Sequence, residues 1–406
     1  MHSTSVYTSS PTSSEVTLHD DPASSSDLPR WIYTTKHMRV DLGTRMWESH
    51  VPCYGLNGNI EGSIRFSGSP SSVAKVTVAL QVQVSTSEQR SSTLLSRTVP
   101  VYTPFSASSA QWNGDCAFSL PIPSEINSNG GTSAMPPSFS YHSYETMCDV
   151  SYFIKVCMVR KRNGFCTHES RLIPILYLPK SEPCQPSLIQ SAGSKTEMAS
   201  LTPMAPQWSD SKKEHRQLAG ALEDFDDAVH VSIPSTTLAS GDRIPFSVSF
   251  DTAKHPLLSQ VSDKNIHVAL VNKVSLWSSS GSSRLVSSER QIASGSVQCK
   301  DKSQGSLLFQ GSIQAGCAGK ENSWCLDGVV SVEYILRLRV TAPKYLSGQF
   351  PTFQYDSVVT LTSDEWGASR REMKALCGVP APAPALGLQS NSHSDEPIPF
   401  VNVFVC

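Results

Sequence analysis

The sequence predicts an all-β protein of two tandem immunoglobulin-like β-sandwiches. Three observations carry this reading. Apolar residues alternate at period two along several runs, short strands follow one another without intervening helices, and one strand pattern occurs in both halves of the chain. At 406 residues the chain is also too long for one sandwich core, so two domains with linkers are expected.

Residues 1–34 are rich in Ser, Thr and Pro and offer little apolar surface to offset ordering entropy, so they are expected to be disordered. A first sandwich is expected over 35–180. From Lys75 to Val84 the alternation is unbroken: Val76, Val78, Leu80, Val82 and Val84 face one way, and Thr77, Ala79, Gln81 and Gln83 the other. Phe118–Leu120 is a short strand ended by Pro121. Val150, Tyr152, Ile154, Val156 and Met158 form the buried face of a longer one, which runs into Arg160-Lys161-Arg162-Asn163-Gly164. Asn-Gly is the strongest short hairpin signal, and the return strand starts at Phe165.

Residues 181–227 turn to Ser, Pro, Gln and Lys, with a helix-permissive piece at Lys212–Leu222 and an acidic end, Glu223-Asp224-Phe225-Asp226-Asp227; they read as an interdomain linker. A second sandwich is expected over 228–367. Ile244, Phe246, Val248 and Phe250 alternate, as do Ile266, Val268 and Leu270, and then Val332, Tyr334, Leu336, Leu338 and Val340. Val150-Ser151-Tyr152 and Val332-Glu333-Tyr334 open the same pattern: Val-x-Tyr, two apolar residues, a cation, an aliphatic. Residues 368–406 form a Pro/Ala-rich tail with an apolar end that includes Phe400, Val403 and Phe404.

Composition narrows the function classes. The net charge of -2 gives no global field toward nucleic acid or membrane, and no nucleic-acid partner is expected. Met1–Asp20 lacks the apolar region of a signal peptide, no run reaches transmembrane length, and no Asn-x-Ser/Thr acceptor occurs. The 11 cysteines are odd in number and without framework spacing, which fits a reduced, cytoplasmic setting. Nucleophile-elbow, phosphate-loop, dinucleotide, Cys-x-x-Cys and His-Glu-x-x-His motifs do not occur, so no cofactor, metal or catalytic residue is expected. Cys166-Thr167-His168-Glu169 is the tightest nucleophile-like group, weighed against an ordinary hairpin strand.

Arg160, Lys161 and Arg162 read either as a solvated hairpin tip or as an anion site for acidic lipid head groups or an acidic receptor tail. Near an anionic bilayer each cation contributes about 1 kcal/mol, which suits weak, reversible contact. The apolar end with Phe400, Val403 and Phe404 reads either as an added edge strand on a sandwich or as a ligand for a partner.

The chain resembles the fungal, basidiomycete arrestin-like proteins of the α-arrestin family. The likeness lies in Arg39–Gly43, Val51–Gly62, Phe118–Pro121, Met135-Pro136-Pro137-Ser138-Phe139, Val150-Ser151-Tyr152 and Tyr177-Leu178-Pro179, then in Ser240–Phe246 and Val332-Glu333-Tyr334. The resemblance covers about residues 36–367 and implies the arrestin fold. It also implies a non-catalytic trafficking adaptor that contacts integral membrane transporter or receptor tails and recruits a HECT-type ubiquitin ligase for ubiquitination and endocytosis. Members recruit the ligase through Pro-Pro-x-Tyr, which this chain lacks. Its nearest variants are Val51-Pro52-Cys53-Tyr54 and Val99-Pro100-Val101-Tyr102, which read either as ligase motifs or as strand packing. Two alternatives are a retromer-type coat scaffold and, more remotely, an enzyme using Cys166 and His168.

Overall fold

A strand that buries one face needs an apolar residue at every second position, and the strands of this protein follow that rule. The computed structural model describes residues 29–67, 72–87, 91–103, 115–128, 131–143, 147–162, 165–186, 197–200, 202–204, 228–277, 285–303, 305–346, 351–375 and 383–392. Asn163-Gly164, Lys212–Leu222, the acidic run 223–227 and the apolar end with Phe400, Val403 and Phe404 lie outside these residues.

The first half forms β1 (Arg30–Thr34), β2 (Met38–Thr44), β3 (Cys53–Tyr54), β4 (Asn59–Phe66), β5 (Val73–Thr86) and β6 (Ser92–Tyr102). These are followed by β7 (Asp115–Pro121), β8 (Glu125–Ser128), β9 (Gly131–Ala134), β10 (Phe139–His142), β11 (Met147–Arg162) and β12 (Phe165–Tyr177). One sheet runs β1-β2-β4-β7; the other runs β3-β12-β11-β5-β6, with β10 also on β11. Their inner faces share one core: Val40, Ile60 and Ile64 from the first, and Val76, Val78, Leu80, Val82, Tyr152, Ile154 and Val156 from the second.

The second half forms β13 (Glu197–Ser200), β14 (Thr202–Met204), β15 (Val229–Ile233), β16 (Thr237–Ala239), β17 (Arg243–Asp251) and β18 (Ile266–Trp277). Then come β19 (Leu285–Ser294), β20 (Ser296–Ser303), β21 (Ser306–Gln314), β22 (Trp324–Leu326), β23 (Val330–Val340), β24 (Thr352–Thr362) and the α-helix α1 (Ala368–Ala375). The sheets run β13-β15-β17-β21-β20 and β14-β24-β23-β18-β19, with β16 on β24 and β22 on β23. Phe250 and Phe309 meet edge to face inside this core, ring centres 5.7 Å apart.

Three expectations from composition give way to packing. β1 begins at Arg30, inside the stretch expected to be disordered. Its Trp31 is buried, with the Arg45 guanidinium 4.1 Å above the ring, and that burial offsets the polar character of its neighbours. β13 and β14 lie within the linker stretch and extend both sheets of the second sandwich by pairing with β15 and β24. In the tail, residues 383–392 fold back: Ala385 and Leu388 pack on Leu178, and the Ala385 N–H donates to the Leu178 carbonyl at 2.9 Å.

The two Val-x-Tyr strands occupy equivalent places, and the equivalence extends well beyond them. β11 and β23 are the central strands, each joined by a short strand just before it: Phe139 pairs with Val150, and Trp324 with Val332. Before each aromatic stands a serine that bonds twice to the last strand of its sheet. The Ser138 N–H donates to the Tyr177 carbonyl (2.7 Å) and the Tyr177 N–H to Ser138 Oγ (2.8 Å). The Ser323 N–H donates to the Leu361 carbonyl (2.8 Å) and the Leu361 N–H to Ser323 Oγ (2.9 Å). Tyr177 and Leu361 in turn pair in parallel with Tyr54 of β3 and Leu238 of β16.

The buried tyrosines complete each copy. Tyr152 OH donates to the Pro136 carbonyl, three residues before Phe139; Tyr334 OH donates to Glu321 Oε2 at 2.7 Å, three residues before Trp324. Burial pushes both phenols well above their ordinary range, and at Tyr334 the Glu321 charge adds to it. Glu321 is only 6% exposed, so its bond to Tyr334 replaces water that cannot reach it. Removing a hydrogen bond to a buried charged acceptor costs more than removing one to a neutral carbonyl. Tyr334→Phe is therefore expected to cost roughly 1.5–3 kcal/mol and Tyr152→Phe about 1 kcal/mol. Urea denaturation of the two variants measures the difference; the reverse order would mean that Glu321 finds another partner.

Candidate interaction sites

The seam between the two sandwiches is built from the duplicated element. Phe139 and Trp324, the equivalent aromatics, touch each other edge to face at 5.1 Å and 77°. Around them, Tyr141 OH donates to Ser288 Oγ (2.9 Å) and Ser133 Oγ to Asp327 Oδ2 (3.2 Å). The chain leaving β12 is stitched to the second sandwich. The Ser181 N–H donates to Ser363 Oγ (2.9 Å), Ser181 Oγ to Asn322 Oδ1 (2.7 Å), and the Ser363 N–H to Ser181 Oγ (2.9 Å). Glu182 accepts the Gly367 and Ser369 N–H groups at the start of α1, and Lys180 pairs with Glu372 at 2.7 Å.

A small cleft opens at this seam between Pro137, Phe139, Asn322, Trp324, Tyr334 and Leu388, with room for little more than a water molecule. The folded-back tail closes one side. Gly387 lies so close to Gly319 that a Cβ there would sit 2.4 Å from the Gly319 carbonyl oxygen, so glycine is required by contact. The seam thus locks two frameworks together, and the cleft within it admits little more than a water molecule.

The basic hairpin is the second site. Inner-face residues of β11 are buried from Tyr152 to Met158, but Arg160 reaches out and its guanidinium donates to Ser72 Oγ at 3.0 Å. Lys161 is exposed, and Arg162, the last residue of β11, is paired in register with Phe165. Phe165 is 77% exposed, and its proximity to the cations went unremarked in the sequence although it directly follows the Asn-Gly pair.

Other predicted residues fall into the framework. Pro52 is buried and Tyr54 packs against the core, with its phenol pushed up by burial. The Pro52 and Tyr54 carbonyls accept the Leu176 and Leu178 N–H groups. Val99, Val101 and Tyr102 pack on the same core, and Tyr102 is in register with Val76. Val51, Pro52, Tyr54 and Val99, Pro100, Tyr102 are therefore segments woven into the sheets. A polyproline-reading groove needs an extended backbone standing clear of the protein.

Cys166 and His168 stand exposed on β12, two residues apart, with Cys166 opposite Lys161 and His168 opposite Val159. A Ser-His-Asp group occurs at Ser140, His142 and Asp149, where Ser140 Oγ donates to Asp149 Oδ1 at 2.6 Å. His142 Nε2 lies 3.1 Å from both Ser140 Oγ and Asp149 Oδ1. One ring nitrogen facing both partners cannot relay a proton between them, which a triad requires. Among the described residues no group of three His, Cys, Asp or Glu could hold a metal, and no helix is long and apolar enough to cross a membrane.

No protein family matches the chain, and no curated protein matches it in sequence. Among solved structures the chain is similar to squid arrestin, at 9% identity over 82% of this chain and 97% of that one, with a TM-score of 0.40. It is also similar to Spo0M, a sporulation control protein from Bacillus subtilis, at 10% identity over 63% of this chain and 91% of that one, with a TM-score of 0.20. Neither likeness is close enough to carry function across; the all-β, two-sandwich assignment rests on the strand pairing itself.

Two outcomes check the sites. A double-mutant cycle of Phe139→Leu and Trp324→Leu is expected to give a coupling of about 0.5–1.5 kcal/mol, the range for an edge-to-face pair. Cys148 is buried, with its thiol pushed up to about 12 by burial and the neighbouring Asp149 charge, whereas Cys166 is exposed. Alkylation of the folded protein, mapped by mass spectrometry, should label Cys166 and spare Cys148 until denaturant is added.

Proposed function

We propose that this chain is a non-catalytic, arrestin-like adaptor of the cytoplasm that links membrane cargo to ubiquitination and endocytic machinery. The observation that carries the reading is the duplicated clasp. Two like sandwiches meet through equivalent aromatics and stitched backbone, so their outward sheets are held in a fixed relation. An adaptor must hold one partner while presenting another, and a framework of this kind does that. The family resemblance in the sequence supports the same reading.

In this proposal the partners are integral membrane transporter or receptor tails and a HECT-type ubiquitin ligase, with weak contact to anionic membrane through the basic hairpin. Because Tyr54 and Tyr102 of the two Val-Pro-x-Tyr segments pack on the core, ligase recruitment would use another surface. The test is proximity labelling in the cell of origin, with and without a change of nutrients. Transporters or receptors together with ubiquitination or endocytic proteins are expected, and their yield should change with conditions. A single constant set of complex subunits would replace the reading by a coat scaffold, and recovery of no membrane protein at all would overturn it. Cys166→Ala is expected to leave the labelled set unchanged.

A further inference from the structure

β11 and β12 outrun the core that holds them. The buried inner series ends at Met158 on β11 and at Val73 on neighbouring β5, which pairs with Arg160, so Lys161, Arg162, Phe165 and Cys166 lie past the packed interior. A hairpin projecting from a sandwich into water would ordinarily be polar throughout. This one carries Phe165 at the start of its return strand, 77% exposed, the most exposed large apolar side chain among the described residues.

Cations flank the strand positions near that ring, Arg160 on its own face of the hairpin and Lys161 on the other. Between Lys155 and Ile173 the sequence holds Lys155, Arg160, Lys161, Arg162 and Arg171 against a single carboxylate, Glu169. Glu169 is occupied, accepting the His37 N–H at 3.0 Å. The neighbouring strand adds another cation: Lys75 of β5 is exposed and in register with Val159, on the face that also carries Lys161. Arg160 and Arg171 belong to the opposite face series, the one that includes Phe165.

We infer that this tip docks on an anionic lipid bilayer, with Phe165 entering the interface while Lys161 and Lys75 meet lipid phosphates and carboxylates. This deepens the membrane contact proposed above and rests on it. The exposed ring decides between a membrane and an acidic peptide. A peptide of carboxylates gives that ring nothing to bury against, whereas a bilayer interface takes up the ring and the neighbouring cations together. Aromatic side chains favour the bilayer interface, and juxtamembrane cations are attracted by anionic lipid.

The experiment uses the full chain and vesicles of phosphatidylcholine alone or with about one third phosphatidylserine, read by co-sedimentation at low and high salt. Binding is expected only to the phosphatidylserine vesicles and should weaken as salt rises. Lys161→Glu should lower the partition by at least about fivefold, the equivalent of one surface cation. Phe165→Ser should lower it by about tenfold while leaving the salt dependence in place. Both side chains are exposed, so thermal unfolding should match the parent. Equal binding to both vesicle types, no binding, or variants that bind like the parent would overturn the inference. So would polyglutamate that binds the parent and loses affinity in Lys161→Glu but not in Phe165→Ser, the signature of an acidic-peptide site. Vesicle binding needs no cargo, so a positive result beside empty proximity labelling would remove the adaptor reading and leave the membrane tip standing.

Discussion

Two hydrogen bonds from one serine determine where each sandwich can meet the other. Ser138 and Ser323 each donate a backbone N–H to the last strand of their sheet and accept a backbone N–H with their hydroxyl, closing a short ring across two strands. That closure fixes the aromatic that follows. A phenylalanine or tryptophan on a free loop would pay rotamer and backbone entropy to reach a partner; one placed by a closed ring has already been ordered by folding. The Phe139–Trp324 contact therefore joins two preset elements, and the remaining seam bonds, from Ser181 to Ser363 and Asn322, form between backbones that are already near each other. The tail uses the same site, since Leu388 lines the cleft beside Trp324.

Much of the framework was legible because burial on one face writes a period of two into the sequence. Val76 through Val84 and Tyr152 through Met158 are inner-face residues at the expected positions, and so are Ile244 through Phe250. The Val-x-Tyr repeat pointed to the duplication correctly, but its cause lay elsewhere. Glu321-Asn322-Ser323-Trp324 reads as a polar loop, whereas Pro136-Pro137-Ser138-Phe139 reads as a turn; nothing in composition makes them equivalent. What they share is the position of a serine and an aromatic before a central strand, which only the pairing makes visible. Strands as short as β3 and β16 carry no periodicity, and their parallel pairing is set by the strand beside them. β1 failed on composition for a related reason: a few apolar residues, Trp31 above all, outweigh many serines once a sheet edge exists to receive them.

The candidate sites were legible in unequal measure. The three cations at the hairpin stand out in any reading of the chain, but their significance depends on where the core stops. Arg160 lies on the inner-face series at the edge of the interior, half-buried and in register with Val73, and its guanidinium is accommodated there by Ser72 Oγ. Phe165 reverses the same logic. It stands four pleat repeats before Ile173, the first buried residue of β12, and is left in water. The tyrosine motifs went the other way: local sequence suggested ligands, while the pairing of Tyr54 and Tyr102 made them parts of the sheet.

The length of β11 ties the two sites together. At about 3.3 Å per residue, a strand of this length spans roughly 50 Å. Its beginning pairs with β10 at the seam, through Phe139 and Val150, and its end carries the basic tip. Between them it is hydrogen-bonded on both sides, to β5 and to β12, over nearly its whole length. A strand held in that way is a strut. Contact of the tip with a bilayer would therefore place the seam and the second sandwich well clear of the lipid head groups, at a distance set by the strut. A second partner bound near the seam would meet groups that stand out from the bilayer and not groups embedded in it.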